Sequence, residues 1–105
     1  MGSYLLAVWS SAKPGRDSDY NDWYEGVHLA DICAVPGVIS GRRYEAIPAS
    51  PATPDATYLA LFEIELDDPT RVLAEIDRRG KSGEMKFSNS IDGASVKMLL
   101  LERRV

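Results

Sequence analysis

The stretch "TYLALFEIEL", residues 57–66, has the most regular β-strand pattern in the chain and decides its fold class. Side chains of a strand point alternately to its two faces. Both faces are apolar here, since one carries Tyr58, Ala60, Phe62, Ile64 and Leu66 and the other carries Leu59 and Leu61. The pattern therefore predicts a strand that needs cover on both sides.

Three further strands are predicted from short runs that are rich in β-forming residues. They are residues 3–10 ("SYLLAVWS"), 38–47 ("VISGRRYEAI") and 94–104 ("ASVKMLLLERR"), and the first and last of these are also apolar on both faces. The segment 48–56, "PASPATPDA", contains three prolines and almost no bulky side chain. We expect it to be an exposed loop.

Two helices are predicted between these strands. The first begins at Asp17 or Ser18, which suit helix capping, and ends before "VPG" at 35–37. Its apolar stripe consists of Tyr20, Trp23, Tyr24 and Val27. The second has Pro69 at its first position and Gly80 at its end. Its stripe consists of Val72, Leu73 and Ile76.

The predicted order is β-α-β-β-α-β, which is typical of the ferredoxin-like arrangement in the α+β class. It places both helices on one face of a four-stranded antiparallel sheet. The opposite face would remain a large apolar patch on a monomer, and such patches usually mark an interface. We therefore expect a homodimer that buries sheet against sheet.

Composition limits the class of protein. A chain of 105 residues predicts one domain, spanning 1–105, and sixteen acidic against twelve basic residues give a net charge of −4, which disfavours nucleic-acid binding. No apolar run approaches the roughly 20 residues of a membrane span. The beginning of the sequence has no basic region before an apolar core, so we expect neither a secretory signal nor a membrane partner. A single cysteine fits a reducing compartment, and we expect a cytoplasmic protein.

The block "YNDWYEGVHLADICAVPGVISGRRYE", residues 20–45, resembles a known family. It is similar to the EthD-like branch of the dimeric α+β barrel superfamily. Members of that branch commonly show an aromatic–Asn–x–Trp–Tyr run, then Val-His-Leu-Pro-Asp, then Val-Pro-Gly and an Arg-containing strand. This chain has Ala30 where the relatives often have proline. The resemblance implies a ferredoxin-like fold, a homodimer and a pocket between sheet and helices, but it does not imply one reaction.

His28 is the only histidine, and its ordinary pKa of about 6.5 suits proton transfer near neutral pH. Tyr24 lies one helical turn earlier, and Asp31 lies three residues later. We predict that His28 is a general acid or base, that Tyr24 donates a hydrogen bond and that Asp31 orients the imidazole. An ideal helix puts His28 at the edge of the apolar face. The alternative is a structural histidine bonded to the backbone, with Asp31 capping a helix break near Ala30.

Aromatic and basic residues are candidates for substrate binding. Tyr20 and Trp23 are predicted to line an apolar pocket, or alternatively to pack as core. Trp9 lines either the pocket or the dimer interface. Arg42 and Arg43 are adjacent in a strand and point to opposite faces, so one of them faces the helices, where it would bind a carboxylate or enolate. An ion pair is the alternative for that arginine.

Neither a metal nor a cofactor is predicted. Cys33 has no second thiol and no nearby basic cluster, which indicates a spectator thiol. One histidine and one cysteine do not give the ligand spacing of a zinc site. The glycines match no phosphate-binding loop.

The leading hypothesis is a cofactor-independent enzyme acting on a small aromatic or polyketide-like carbonyl compound. Cyclisation, dehydration and isomerisation share the proton transfer assigned to His28, and the sequence does not choose among them. A second hypothesis is a non-catalytic dimeric module that binds a hydrophobic small molecule or assists a neighbouring pathway enzyme. A third is haem binding, as in the haem-degrading branch of the superfamily.

Overall fold

The computed structural model describes residues 2–105, which contain one four-stranded antiparallel sheet. Its strands are β1 (Gly2–Ala12), β2 (Val38–Glu45), β3 (Tyr58–Leu66) and β4 (Ile91–Glu102). Their order in the sheet is β2-β3-β1-β4, and every neighbouring pair is antiparallel. The predicted β-α-β-β-α-β ferredoxin-like arrangement is confirmed.

The helical segments are α1 (Asp17–Trp23), a π-helical turn (Tyr24–His28), α2 (Leu29–Cys33) and α3 (Thr70–Ser82). The backbone stays helical at both junctions of the π turn, so α1, the π turn and α2 form one continuous helix, named here the first helix. It runs through Ala30 without the break considered above. None of the helices in residues 2–105 combines the length and apolarity required to cross a membrane.

The first helix begins at Asp17, as predicted, but no side-chain hydrogen bond caps its start. The Asp17 carboxylate accepts a hydrogen bond from the Tyr58 hydroxyl. The predicted end of α3 at Gly80 is wrong. The helix continues to Ser82 and stops at Gly83, whose φ of 83° lies in the left-handed region where glycine is favoured.

One sheet face, the covered face, packs against the helices and holds the core. Alternate strand residues reach this core, as the sequence pattern predicts, and the helices add apolar residues at roughly one-turn intervals. The core contains Leu6, Val8, Ala60, Phe62 and Ile64 from the strands and Tyr20, Tyr24, Ile32, Val72 and Ile76 from the helices.

The opposite, open face of the sheet is not covered by a helix and is apolar over much of its area. It carries Leu5, Trp9, Leu59, Leu61, Leu99 and Leu101, which alternate with covered-face residues in the strand register. Leu99 and Leu101 are 56% and 45% exposed. A depression of about 380 Å³ also lies here, lined in part by Leu5, Ile39 and Leu101. None of the predicted site residues lines it.

Candidate functional site

The first helix buries side chains at a spacing of four residues, namely Tyr20, Tyr24, His28 and Ile32. A regular α-helix has 3.6 residues per turn, so three such steps would drift by about 120° around the axis. The π turn closes i→i+5 hydrogen bonds and holds more residues per turn, which rotates the following side chains back toward the sheet. His28 is therefore buried and not at the edge of the face, while Val27, predicted in the stripe, is 42% exposed.

The same turn builds an aromatic box around His28. The Trp23 ring stacks on the imidazole at 4.5 Å between centroids, although the two residues are five positions apart. The Tyr24 ring meets the imidazole edge-on at 4.9 Å, and the Phe87 ring lies 5.6 Å away. In a regular α-helix residues five apart diverge, so the stacking of Trp23 on His28 depends on the π turn.

His28 lines a cavity of about 270 Å³ between the first helix and β4, named here the His28 cavity. Its other lining residues are mostly apolar, and none of them is an acid, a lysine or an arginine. They are Val8, Ser10, Trp23, Tyr24, Phe87, Ile91, Gly93, Val96 and Met98. Ordinary ligand pockets are about 300–1,000 Å³ in volume, so this is a small site.

Burial keeps the His28 ring neutral. Desolvation lowers its pKa from 6.5 to about 4; the Asp31 charge opposes this shift, and the Arg43 charge adds a smaller contribution to it. Nδ1 is enclosed without a hydrogen-bond partner, so neither Asp31 nor the backbone holds that nitrogen. An unpaired polar atom in the interior is uncommon and calls for an explanation, which a functional role would supply.

Tyr24 remains a protonated phenol at any ordinary pH. Burial is the main cause that raises its pKa above 10, and the nearby Tyr20 adds to the shift while Arg43 opposes it. Tyr24 therefore stands in the cavity wall as a neutral hydrogen-bonding group.

Arg43 is the arginine that faces the helices, with only 8% of its side chain exposed. Nη1 donates to Asn21 Oδ1 at 2.9 Å and to Glu25 Oε2 at 2.8 Å. The guanidinium carbon lies 4.3 Å from the centre of the Tyr24 ring, and the rings of Tyr20 and Tyr58 are also within 5.3 Å. Nε and Nη2 have no hydrogen-bond partner, so the Glu25 carboxylate, the Asn21 amide oxygen and the aromatic faces together hold this cation. The pair with Glu25 is the ion-pair alternative given above for the helix-facing arginine. It does not line the His28 cavity.

The remaining predicted site residues lie elsewhere. Tyr20 is fully buried in the core, does not line the cavity, and hydrogen-bonds to the Ser10 hydroxyl. Trp9 lies on the open face opposite Leu59, not in the cavity. Arg42 also lies on the open face, 3.8 Å from the Glu63 carboxylate.

The structure therefore brings together His28, Tyr24 and Trp23, with Asp31 close enough to influence the charge of the ring but not bonded to Nδ1. Sequence reasoning missed the opposite wall, formed by Phe87, Ile91, Val96 and Met98. Phe87 lies in a weakly patterned stretch, and only the return of the chain to the sheet edge carries it to His28. The alternation of β4 placed Val96 and Met98 on one face but gave no sign of a cavity.

Other chemistry finds little support at this site. Within residues 2–105, no three His, Cys, Asp or Glu side chains converge in a way that would hold a metal ion. Cys33 is a free thiol whose pKa is raised by burial, which favours the unreactive protonated form.

Comparison with known proteins identifies the architecture. No family model matches the chain, and no curated protein matches its sequence. A haem degrader from Mycobacterium tuberculosis, MhuD, solved with two haems in its active site, aligns with a TM-score of 0.68 at 10% identity over 97% of this chain and 96% of that one. The chain has the ferredoxin-like α+β barrel fold.

A second solved structure has the same fold. An ethyl tert-butyl ether D (EthD) family protein from Bacillus halodurans aligns with a TM-score of 0.63 at 18% identity, over 99% of this chain and 100% of that one. It belongs to the family that residues 20–45 resemble, so the local motif and the whole fold agree. At these identities the likeness defines the fold of the chain and not its activity.

Proposed function

We propose that the protein is a cofactor-independent enzyme that transfers a proton on a small, uncharged aromatic or polyketide-like carbonyl compound in the His28 cavity. The observation that carries this proposal is a buried, neutral imidazole in the wall of an apolar cavity. A small apolar cavity with a few polar groups is the usual form of a ligand site.

The lining favours an uncharged ligand. A carboxylate, phosphate or ammonium group would lose its hydration here and find no opposite charge, because no ionised side chain lines the cavity. The volume of about 270 Å³ suits a compound of one or two rings, since a cavity of about 150 Å³ accepts benzene.

His28 would act as the base. It would take a proton from the carbon next to the carbonyl, so that the C–H bond breaks, an N–H bond forms and the electron pair moves to the carbonyl oxygen. The resulting enolate carries a negative charge beside the new imidazolium, which raises the pKa of the ring in the complex. The Tyr24 phenol would donate a hydrogen bond to the enolate, and the Asp31 charge favours the imidazolium.

Haem does not fit this site. Its four-pyrrole macrocycle exceeds a cavity sized for one or two rings, and the His28 ring is already flanked by Trp23, Tyr24 and Phe87. No step of the proposed reaction uses it. Titration with haemin provides a direct check, because ligation by His28 would shift the Soret band and would contradict the proposal.

A second candidate is a binding module without catalysis. The missing hydrogen bond between Asp31 and Nδ1, together with a pKa of about 4, favours it, because an efficient general base has a pKa near the working pH. Under this candidate His28 gives only polarity to the cavity wall.

The test uses β-tetralone, an uncharged two-ring ketone, and follows exchange of its α-protons for deuterium by NMR. We expect wild-type protein to accelerate exchange, and His28→Gln to lose the acceleration by about 100-fold or more while still binding the ketone. Trp9→Phe, on the open face, is the matched control and should keep full activity. Binding without exchange would support the second candidate, and absence of binding would contradict both.

We propose further that the open face forms a homodimer interface, as the resemblance implies. The support is its row of exposed leucines, including Leu99 and Leu101. Light scattering should give twice the mass of one chain. Leu99→Glu should shift the protein toward monomer, whereas Ile47→Glu, at an exposed position just after the end of β2, should not. A monomeric wild type at micromolar concentration would contradict this interface.

A further inference from the structure

The mouth of the His28 cavity is marked by the exposed members of its lining. Phe87, Gly93 and Met98 are exposed, while His28 and Tyr24 are buried. Phe87 is 57% exposed, yet its ring lies 5.6 Å from the imidazole and 6.4 Å from the Trp23 ring. A large aromatic side chain thus stands between solvent and the proposed base.

Phe87 belongs to a short arch that is anchored at both ends. Met85, before it, and Ser90, after it, are both fully buried, and Lys13 N donates to Ser90 O at 2.8 Å. The residues between them belong to no helix or strand. The indole Nε1 of Trp23 donates to Lys86 O at 3.0 Å, which fixes the arch directly beside Phe87. The backbone is held while the Phe87 ring extends into solvent.

Gly80, in the last part of α3, provides the place on which the ring rests. A Cβ atom at this position would lie 3.0 Å from Phe87 Cε2. Glycine inside a helix costs about 1 kcal/mol relative to alanine, so its presence there needs a reason, and room for the Phe87 ring is such a reason.

We propose that Phe87 is the gate of the His28 cavity and sets which ligands enter. Its side chain, which rests against Gly80 in this structure, turns away from the mouth on a fixed backbone, and a flat one- or two-ring compound passes between it and β4. This inference rests on the proposed ligand class, but it concerns access and not the proton transfer. Exposed side chains change rotamer within picoseconds to nanoseconds, so the gate needs no movement of the fold.

The first test measures access without a ligand. Trp9→Phe leaves Trp23, in the cavity wall, as the only tryptophan, and acrylamide quenching of its fluorescence reports access to that wall. In this background we expect Phe87→Ala to raise the quenching constant about twofold or more, because the Phe87 ring covers part of the half-buried Trp23. Phe87→Leu should give an intermediate value. Ile47→Ala, which removes a similarly exposed apolar side chain, should leave it unchanged. Equal quenching of Phe87→Ala and its parent would overturn the gate.

The second test measures ligand entry with β-tetralone by stopped-flow fluorescence of Trp23. Phe87→Ala should raise the association and dissociation rate constants together, by about fivefold, because a gate changes both directions of passage more than it changes affinity. Phe87→Leu, which adds no tryptophan, should raise both by a smaller factor. Rate constants equal to those of the parent would contradict a role in entry. If the wild type does not bind the ketone, the proposed function fails, while acrylamide quenching still decides whether Phe87 covers the cavity.

Discussion

The first helix and α3 cover the same sheet face in different ways. α3 is regular, buries Val72 and Ile76 and keeps its charged residues at the surface, where Glu75 pairs with Arg78 and Arg79. The first helix buries three tyrosine or histidine side chains together with Ile32, and it contains a π turn. α3 mainly fills the core, whereas the first helix also builds the candidate site.

The difference shows where irregularity enters the fold. Burial at four-residue spacing exceeds what a regular α-helix can keep on one face, and the π turn restores that face. The same turn stacks Trp23 on His28 and leaves Nδ1 without a partner. Because α3 buries only the aliphatic side chains of Val72 and Ile76, it needs no π turn. Three experiments test this contrast, from the largest expected effect to the smallest.

The largest effect concerns the pH dependence of stability. The folded protein lowers the pKa of His28 to about 4, so between pH 6.5 and 4 the unfolded chain binds more protons at this residue than the folded one. The contribution of the neutral ring to the free energy of unfolding is fully present above pH 6.5 and is lost as the pH falls toward 4. This loss should reach about 3 kcal/mol for the shift from 6.5 to about 4.

The measurement is urea unfolding at a series of pH values, comparing wild type with His28→Phe. The variant keeps an aromatic ring but cannot titrate, and other groups titrate in both proteins, so the difference isolates His28. Parallel pH profiles would mean that the ring is not buried in its neutral form.

The next experiment compares two glycine-to-alanine substitutions, one at a strand position that contacts the first helix and one in α3. A Cβ on Gly41 would lie 2.8 Å from the Phe62 ring and 2.9 Å from Cys33 Sγ at the end of α2, where both partners are confined. Gly41→Ala should therefore lower the free energy of unfolding by about 1–3 kcal/mol. Gly80→Ala in α3 meets only the exposed Phe87 ring and gains helix propensity, so it should cause no loss.

Thermal and urea unfolding of the two variants gives both values. Adding Cys33→Ala to Gly41→Ala should recover part of the loss, because it removes one of the two close contacts. Equal losses at the two glycines would show that the first helix is no more tightly fixed to the sheet than α3.

The smallest effect concerns the π turn itself. Gly26 is exposed and a side chain there would meet no atom within 4 Å. Deleting it leaves Tyr24 and His28 three positions apart, a spacing that a regular α-helix keeps on one face. The free energy of unfolding should change by less than about 1 kcal/mol, partly because a helix-breaking glycine is removed.

Near-UV circular dichroism and urea unfolding of the deletion variant provide the measurement, with Gly26→Ala as the control that keeps the π turn. A cooperative transition at nearly wild-type urea concentration would show that the fold tolerates a regular helix here. Loss of cooperative unfolding would mean that the π turn is a requirement of packing.

Much of the fold was predictable because its signals are local. Alternation placed Phe62 and Ile64 on one strand face and Leu61 on the other, and periodicity placed Val72 and Ile76 inside. The end of α3 was not predictable, since a helix can end at either Gly80 or Gly83 and only Gly83 has a left-handed backbone.

The candidate site was predictable on one side only. His28, Tyr24 and Trp23 lie close together in the sequence, and local spacing is enough to group them. Phe87 and Met98 reach the same cavity from distant segments, and nothing in their own neighbourhoods marks them. The choice between Arg42 and Arg43 depended on strand register, because a shift of one residue exchanges the two faces.

By itself, the sequence determined the element order, the faces of the strands and a helix that carries the only histidine, since these follow from periodic burial along the chain. Tertiary structure alone decided that the histidine is enclosed, neutral and unpaired, and that Phe87 stands over it. The physical reason is that solvation depends on what surrounds a group from every direction, and most of those neighbours come from other parts of the chain.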